Sequence, residues 1–206
     1  MIRVRDVLAR LALCAFGLLL PLLANADAFD LAQLSRQLSA PEVVRGSFVQ
    51  EKYLRALPQP LTSTGSFVLA RNRGLLWSLQ QPVQRDYRIS ASGIAQRDPN
   101  GWQQTNQQGP AARHNELFLA VLHGDTEALQ RDFELELNGT AQAWALTLTP
   151  RSKLLGQIFT AILIQGSATA ERIELLETQG DSTVLVLNDI EIDDQLDPNE
   201  LHDLAD

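Results

Sequence analysis

The chain has 206 residues, with 17 basic and 25 acidic side chains and a formal charge of −8 at neutral pH. That balance excludes binding to nucleic acid or to an anionic lipid surface through bulk charge, since both would repel it. A single cysteine, Cys14, excludes an internal disulfide and a cysteine-built metal site.

Arg3, Arg5 and Arg10 form a basic start, Leu11 to Leu23 is an apolar run of thirteen, and Ala24-Asn25-Ala26 supplies small residues. This is the pattern of a secretory signal peptide over residues 1–26, cleaved before Asp27. Thirteen apolar residues fall short of the roughly twenty that a spanning helix needs. The expectation is therefore export into a periplasm, with residues 27–206 as one domain. Leu13 stands before Cys14 where a lipidation signal has a small residue, so Cys14 is read as leaving with the leader. The leader also removes three arginines and only one aspartate, which makes the remainder more acidic still.

Phe29 to Ala40 reads as a short amphipathic helix. Asp30 is placed to cap it, Gln33 to complete the capping box, and Phe29 with Leu34 to staple it. Leu31, Leu34 and Leu38 share a face and Pro41 ends the pattern. Strands come next, predicted near 43–54, 62–70, 74–80, 85–90, 93–97 and 101–105, then 131–138, 142–149, 157–165, 170–177 and 183–192. Turn residues such as Asn72 to Gly74, Ser92-Gly93, Asn100-Gly101 and Asn138-Gly139 divide them. Phe133, Leu135 and Leu137 alternate with Asp132, Glu134 and Glu136, the mark of an antiparallel sheet covered on one side. Ile158 to Ile164 and Val184 to Ile192 are apolar on both faces, so something must cover the second one. Between the sixth and seventh strands, Leu117, Phe118, Val121 and Leu122 form one helical face and Gly124 suits the helix end. A second short turn is expected from Asp125 to Leu129. A helical interruption at that place is a natural plug or lid.

Catalytic patterns are weak. His114, His123 and His202 lack the spacing of a metal site. There is no G-x-S-x-G elbow and no phosphate-cradling glycine loop. Asp189 to Glu200 partly mimics a calcium loop, but Asp194 occupies the position where the sharp turn requires glycine. No enzyme, metal or cofactor is expected.

The distinctive stretch runs from Gly65 to Trp77, a hairpin with large apolar residues on both arms and Arg71 at its bend. Gly46-Ser47-Phe48-Val49-Gln50 precedes it and Gln81-Pro82 comes after it, while Trp144 to Pro150 gives a later L-x-L-x-P-like strand end. Together these resemble the periplasmic lipoprotein-carrier (LolA) family, with Asn72 in place of the usual proline, Leu75 where an aromatic is common, and an unusually acidic tail from Asp193 to Asp206. The chain looks like a divergent member. The resemblance implies a mainly β fold, an unclosed antiparallel β-barrel of about eleven strands with a helical lid. It implies a monomeric carrier that takes acyl chains of a lipoprotein, or a free or acylated lipid, from an inner-membrane transporter to an outer-membrane receptor. It also implies that Arg71 is a latch holding the lid by hydrogen bonds.

Such a carrier needs no chemistry. A buried methylene is worth about 0.8 kcal/mol, so a fifteen-methylene chain costs roughly 12 kcal/mol to leave in water. What it needs is a dry hollow lined by bulky side chains. Phe48, Phe67, Leu69, Leu75, Trp77, Trp102, Phe118, Leu122 and Phe133 are the candidates for its wall and lid. The alternative class is a non-enzymatic accessory or interaction subunit of an envelope lipid-transport complex, using the doubly apolar strands as an interface. A lipid or glycan hydrolase is disfavoured, since no nucleophile, base and orienting group are legible together.

Overall fold

The computed structural model describes residues 29–105 and 110–205, so the leader expected at residues 1–26 lies outside the described residues. Eleven strands form one sheet: β1 (Val43–Tyr53), β2 (Leu61–Ala70), β3 (Gly74–Gln81), β4 (Arg85–Ser90), β5 (Gly93–Asp98), β6 (Gly101–Gln104), β7 (Phe133–Thr140), β8 (Ala143–Pro150), β9 (Phe159–Gly166), β10 (Ala170–Glu177) and β11 (Ser182–Asp193). Their spatial order is β6-β5-β4-β3-β2-β1-β11-β10-β9-β8-β7, and the paired neighbours are antiparallel. The edges β6 and β7 do not pair, so the barrel stays open.

The helices are α1 (Leu31–Ser39), α2 (Pro110–His123), α3 (Thr126–Asp132), α4 (Lys153–Gly156) and α5 (Pro198–Asp203). In α1 the expected box forms: Asp30 accepts from the Gln33 N–H at 2.7 Å and the Gln33 side chain accepts from the Asp30 N–H at 3.2 Å. Leu34 and Leu38 are its buried residues. The connection between the two sheet edges carries α2 and α3, so the helices that cover the sheet come from the gap in the barrel. α2 ends in a Schellman turn, with Asp125 N donating to Ala120 O at 2.9 Å and Gly124 N to Val121 O at 3.2 Å. Gly124 has φ +66, and a Cβ there would stand 2.5 Å from Leu38 Cβ, so α1 and the end of α2 meet at this glycine.

The main core lies on the concave face, and its centre is aromatic. Phe48 stands opposite Gly65 and Phe67 opposite Gly46 across the β1–β2 pair. A Cβ on Gly65 would lie 2.7 Å from Phe48 Cζ, and one on Gly46 would lie 2.8 Å from Phe67 Cε1. Each ring therefore fills the space that the facing glycine leaves, the sheet form of aromatic rescue. The arrangement places both rings against Trp77, with centroids 3.7 Å away for Phe48 and 6.3 Å for Phe67.

Several details depart from expectation. β7 begins at Phe133 because Arg131 and Asp132 complete α3, so the apparent alternation starts two residues too early. α4 and α5 were not anticipated, although Asp197-Pro198-Asn199-Glu200 is a capping box with proline in the first turn. The two doubly apolar runs divide their residues: Ile162, Ile164, Leu185 and Leu187 join the concave core. On the second face of β11 Val184 is buried, while Ile192, which beyond the bulge pairs with Val44 of the concave core, is exposed at the strand end.

On the convex side a smaller cluster gathers Ala70, Leu76 and Leu204, with Val68, Trp102 and Leu196 packed against it. The acidic tail is tied down there. Arg45 reaches Glu200 (Nε to Oε1 at 2.6 Å), Asp193 (3.1 Å) and the Gln195 carbonyl (2.8 Å). Arg88 donates to the carbonyls of Asp203 and Ala205, and Arg97 pairs with Asp203. Of the would-be calcium ligands, Asp193 and Glu200 are thus held by Arg45, and Asp189 accepts from the Ser47 hydroxyl.

Substituting Gly65→Ala should cost about 1–3 kcal/mol of stability or more, because the added methyl would overlap the Ser78 carbonyl oxygen on β3 and stand 2.7 Å from Phe48 Cζ, so both the strand pair and the ring must give way. Urea unfolding followed by tryptophan fluorescence checks this; an unchanged midpoint contradicts the packing argument.

Candidate functional site

Of the residues expected to form a wall and lid, the concave core unites Phe48, Phe67, Leu69, Leu75, Trp77, Leu122 and Phe133 as buried members, with Phe118 packed against them. Phe118 comes from α2 and meets Trp77 edge-on, centroids 5.5 Å apart and planes at 85°. The wall is therefore closed by the protein's own helix. Trp102 is not part of this group. It lies on the opposite face, in the cluster beneath the tail, with the Arg88 and Arg97 guanidinium groups 5.5 and 4.7 Å from its ring centroid. The β5–β6 register explains this: Trp102 pairs with Arg97 and shares the convex side with Leu76. Sequence reasoning also passed over Leu146, Leu148, Ile162, Ile164, Leu185 and Leu187, which line the same core and whose alternation within strands was the available signal.

Arg71 sits in the β2–β3 turn and grips the end of α1. Its Nη2 donates to the Ala40 carbonyl, which caps the helix, and its Nη1 pairs with Glu42 Oε1 at 2.9 Å. Its backbone N–H donates to Glu42 O at 2.9 Å. Both charged partners are partly exposed, so screening keeps the ion pair weak. A second fastening lies in the last turn of α1, where the Gln37 amide donates to Ala141 O at 3.1 Å and to Ser167 O. Ser167 O also accepts from Trp144 Nε1 at 2.7 Å. The C-terminal end of α1 is thereby tied to the β2–β3 turn and to the β7–β8 and β9–β10 turns. Gln37 was missed in the sequence because an exposed-looking helix glutamine gives no sign of its distant partners.

Between the end of α1, the end of α2 and the β2–β3 and β4–β5 turns lies a cleft of about 1190 Å³. Leu38, Val44, Leu69, Leu119 and Ala120 give it an apolar side, and Arg71, Arg73, His123 and Arg131 a polar one. Burial pushes the His123 imidazole below its usual value of 6.5, and backbone hydrogen bonding at Ala70 and Leu119 opposes this only in part. A histidine with a lowered folded pKa takes up its proton more readily when unfolded. Its contribution to stability is therefore constant above about pH 6.5 and declines as pH falls below it. Thermal unfolding should show a larger loss from pH 7.5 to 5.5 in the wild type than in His123→Gln; equal losses would mean that His123 is not a source of the acid sensitivity.

Residues 23–194 match the family described as outer membrane lipoprotein carrier protein, LolA-like. No curated protein sequence matches the chain. Among solved structures, the complex structure of Pseudomonas aeruginosa MucA/MucB aligns with a TM-score of 0.50 and 14% identity, over 83% of this chain. The chain spans 58% of the length of that neighbour, and the likeness is one of fold. A LolA superfamily protein from Nitrosomonas europaea aligns with a TM-score of 0.46 and 10% identity, over 84% of this chain and 97% of its own. With an open eleven-stranded sheet, an aromatic concave face closed by its own helices, and a sequence match over most of its length, the chain belongs to the LolA-like family of outer membrane lipoprotein carrier proteins.

Proposed function

We propose that residues 27–206 act as a periplasmic, non-enzymatic carrier, which holds the acyl chains of a lipoprotein or lipid against the concave face and conveys them to the outer membrane. The observation that carries this reading is Phe118 of α2 lying against Trp77, at the centre of the apolar wall. An acyl chain and this helix would compete for one surface. When α2 withdraws, Phe48, Phe67 and Trp77 offer a chain the contacts they had made with the lid; when it returns, the chain is displaced. Uptake and release are then exchanges between two apolar occupants of similar worth, so neither demands an external energy source at the carrier itself.

The fastenings of α1 fit the same cycle. Gln37 grips two carbonyls and Arg71 one, with hydrogen bonds worth about 0.5–1.5 kcal/mol net for the amide and about 1.5–3 kcal/mol for the guanidinium before solvent screening. Bonds of that size favour the closed form without locking it. On this reading the carrier receives its cargo from an inner-membrane donor and yields it to an outer-membrane acceptor that binds it more tightly.

Titration of the purified domain with a fluorescent long-chain fatty acid should saturate; a signal that stays at the free-probe value rejects the carrier reading. Arg71→Leu should slow release more than it alters uptake, because the returning α1 loses the contact that drives closure. Stopped-flow measurement of both steps decides this, and equal changes in the two rates would remove the latch role.

A further inference from the structure

Buried polar atoms in folded proteins nearly always have partners, and those that do not call for an explanation. Among the described residues, Arg71 Nε is such an atom, in a side chain that lines the cleft at the end of α1. The same cleft receives Arg73 and Arg131, which have no ion-pair partner among the described residues. Elsewhere Arg45, Arg97 and Arg172 pair with carboxylates and Arg55, Arg88 and Arg151 donate to backbone carbonyls, while the scattered, exposed Arg36 and Arg85 lie outside the cleft lining. Asp125 is the one carboxylate in the cleft lining among the described residues, and it is committed to the Ala128 N–H as the cap of α3. Glu42 neutralises Arg71 from just outside it. In a chain of net charge −8, Arg73 and Arg131 thus share one concavity with Arg71 and have no carboxylate paired to them among the described residues.

We infer that this cleft binds the anionic headgroup, a phosphate or carboxylate, of an amphiphile whose acyl chain runs onto the concave wall. The inference rests on the carrier reading and names the class of cargo. Leu38, Val44 and Leu69 join the cleft to that wall, since all three belong to the main core and also line the cleft. A tail can therefore leave the cationic end without crossing polar ground. Arg71 gives the headgroup a second effect. An anion drawn to the cleft competes with Ala40 O and Glu42 for the guanidinium, so that binding the head loosens the grip on α1. An oxygen acceptor would also satisfy Arg71 Nε.

The test compares three amphiphiles carrying the same acyl chain: a lysophosphatidic acid, a fatty acid and an uncharged monoacylglycerol. Affinities are measured at low and high salt for the wild type and for the double variant Arg73→Gln, Arg131→Gln. Both arginines are exposed, so the variant should keep its fold, which circular dichroism verifies. The wild type should prefer one or both anionic compounds over the neutral one by about tenfold or more at low salt, as charge-assisted hydrogen bonds allow. Salt should reduce the preference, and the double variant should bring it below about threefold. The phosphate and carboxylate arms then say which head is taken. Equal affinity for all three in the wild type, or a preference that survives in the double variant, overturns the inference while leaving the carrier reading intact. Failure of all three to bind overturns both.

Discussion

A sheet that curls without closing keeps one apolar face it cannot cover by itself. Here eleven strands bend around Phe48, Phe67, Trp77 and Phe133, but β6 and β7 remain unpaired edges, so no further strand completes the wall. Water must be kept off that face by something else, and the chain uses the segment that joins the two edges. α2 crosses the opening with Phe118 against Trp77. A full barrel would have removed the vulnerable edges but sealed the interior. The open form retains a cover that belongs to the molecule yet is not part of its hydrogen-bonded sheet. The lid, the cleft beside it and the fastening of α1 all stem from that one missing strand pair.

The attachments of the cover are modest and local. Arg71 and Gln37 hold backbone carbonyls, and the Arg71–Glu42 pair is half in solvent. The rings of the wall, by contrast, are fixed by the reciprocal placement of Phe48 over Gly65 and Phe67 over Gly46. The strongly and weakly held parts of the site are thus separate: strands β1 to β3 set the shape of the wall, and helices cover it. Such a division is expected where a surface must stay constant while its occupant changes.

Much of this was legible in the chain. The alternation in β7 and β8, the turn residues and the caps of α1 located most elements, because each depends on neighbours close in sequence. Seven of the nine proposed wall and lid residues are buried together in one core, and Phe118 packs on it, because bulky residues at period-two positions of the same hairpins share a face. Trp102 fell on the other side since β6 is only four residues long and offers too little alternation to reveal its face. Contact across distance left no such mark. Gln37 with Ser167, Arg45 with Glu200, and the meeting of Arg71, Arg73, His123 and Arg131 around one cleft all join segments whose proximity is created by the fold.

The family match stops at residue 194, and the acidic tail beyond that point lies folded against the outside of the sheet. That tail touches strands far apart in order: Arg45 belongs to β1, Arg88 to β4 and Arg97 to β5. It works as a strap over ribs that would otherwise be joined only edge to edge. In a chain whose sole cysteine is Cys14, this is a cross-link made of charge and two leucines, Leu196 and Leu204, instead of sulfur. Its strength responds to ionic strength and is indifferent to oxidants and reductants, so the scaffold behind the wall keeps its curvature in whatever redox surroundings the protein meets.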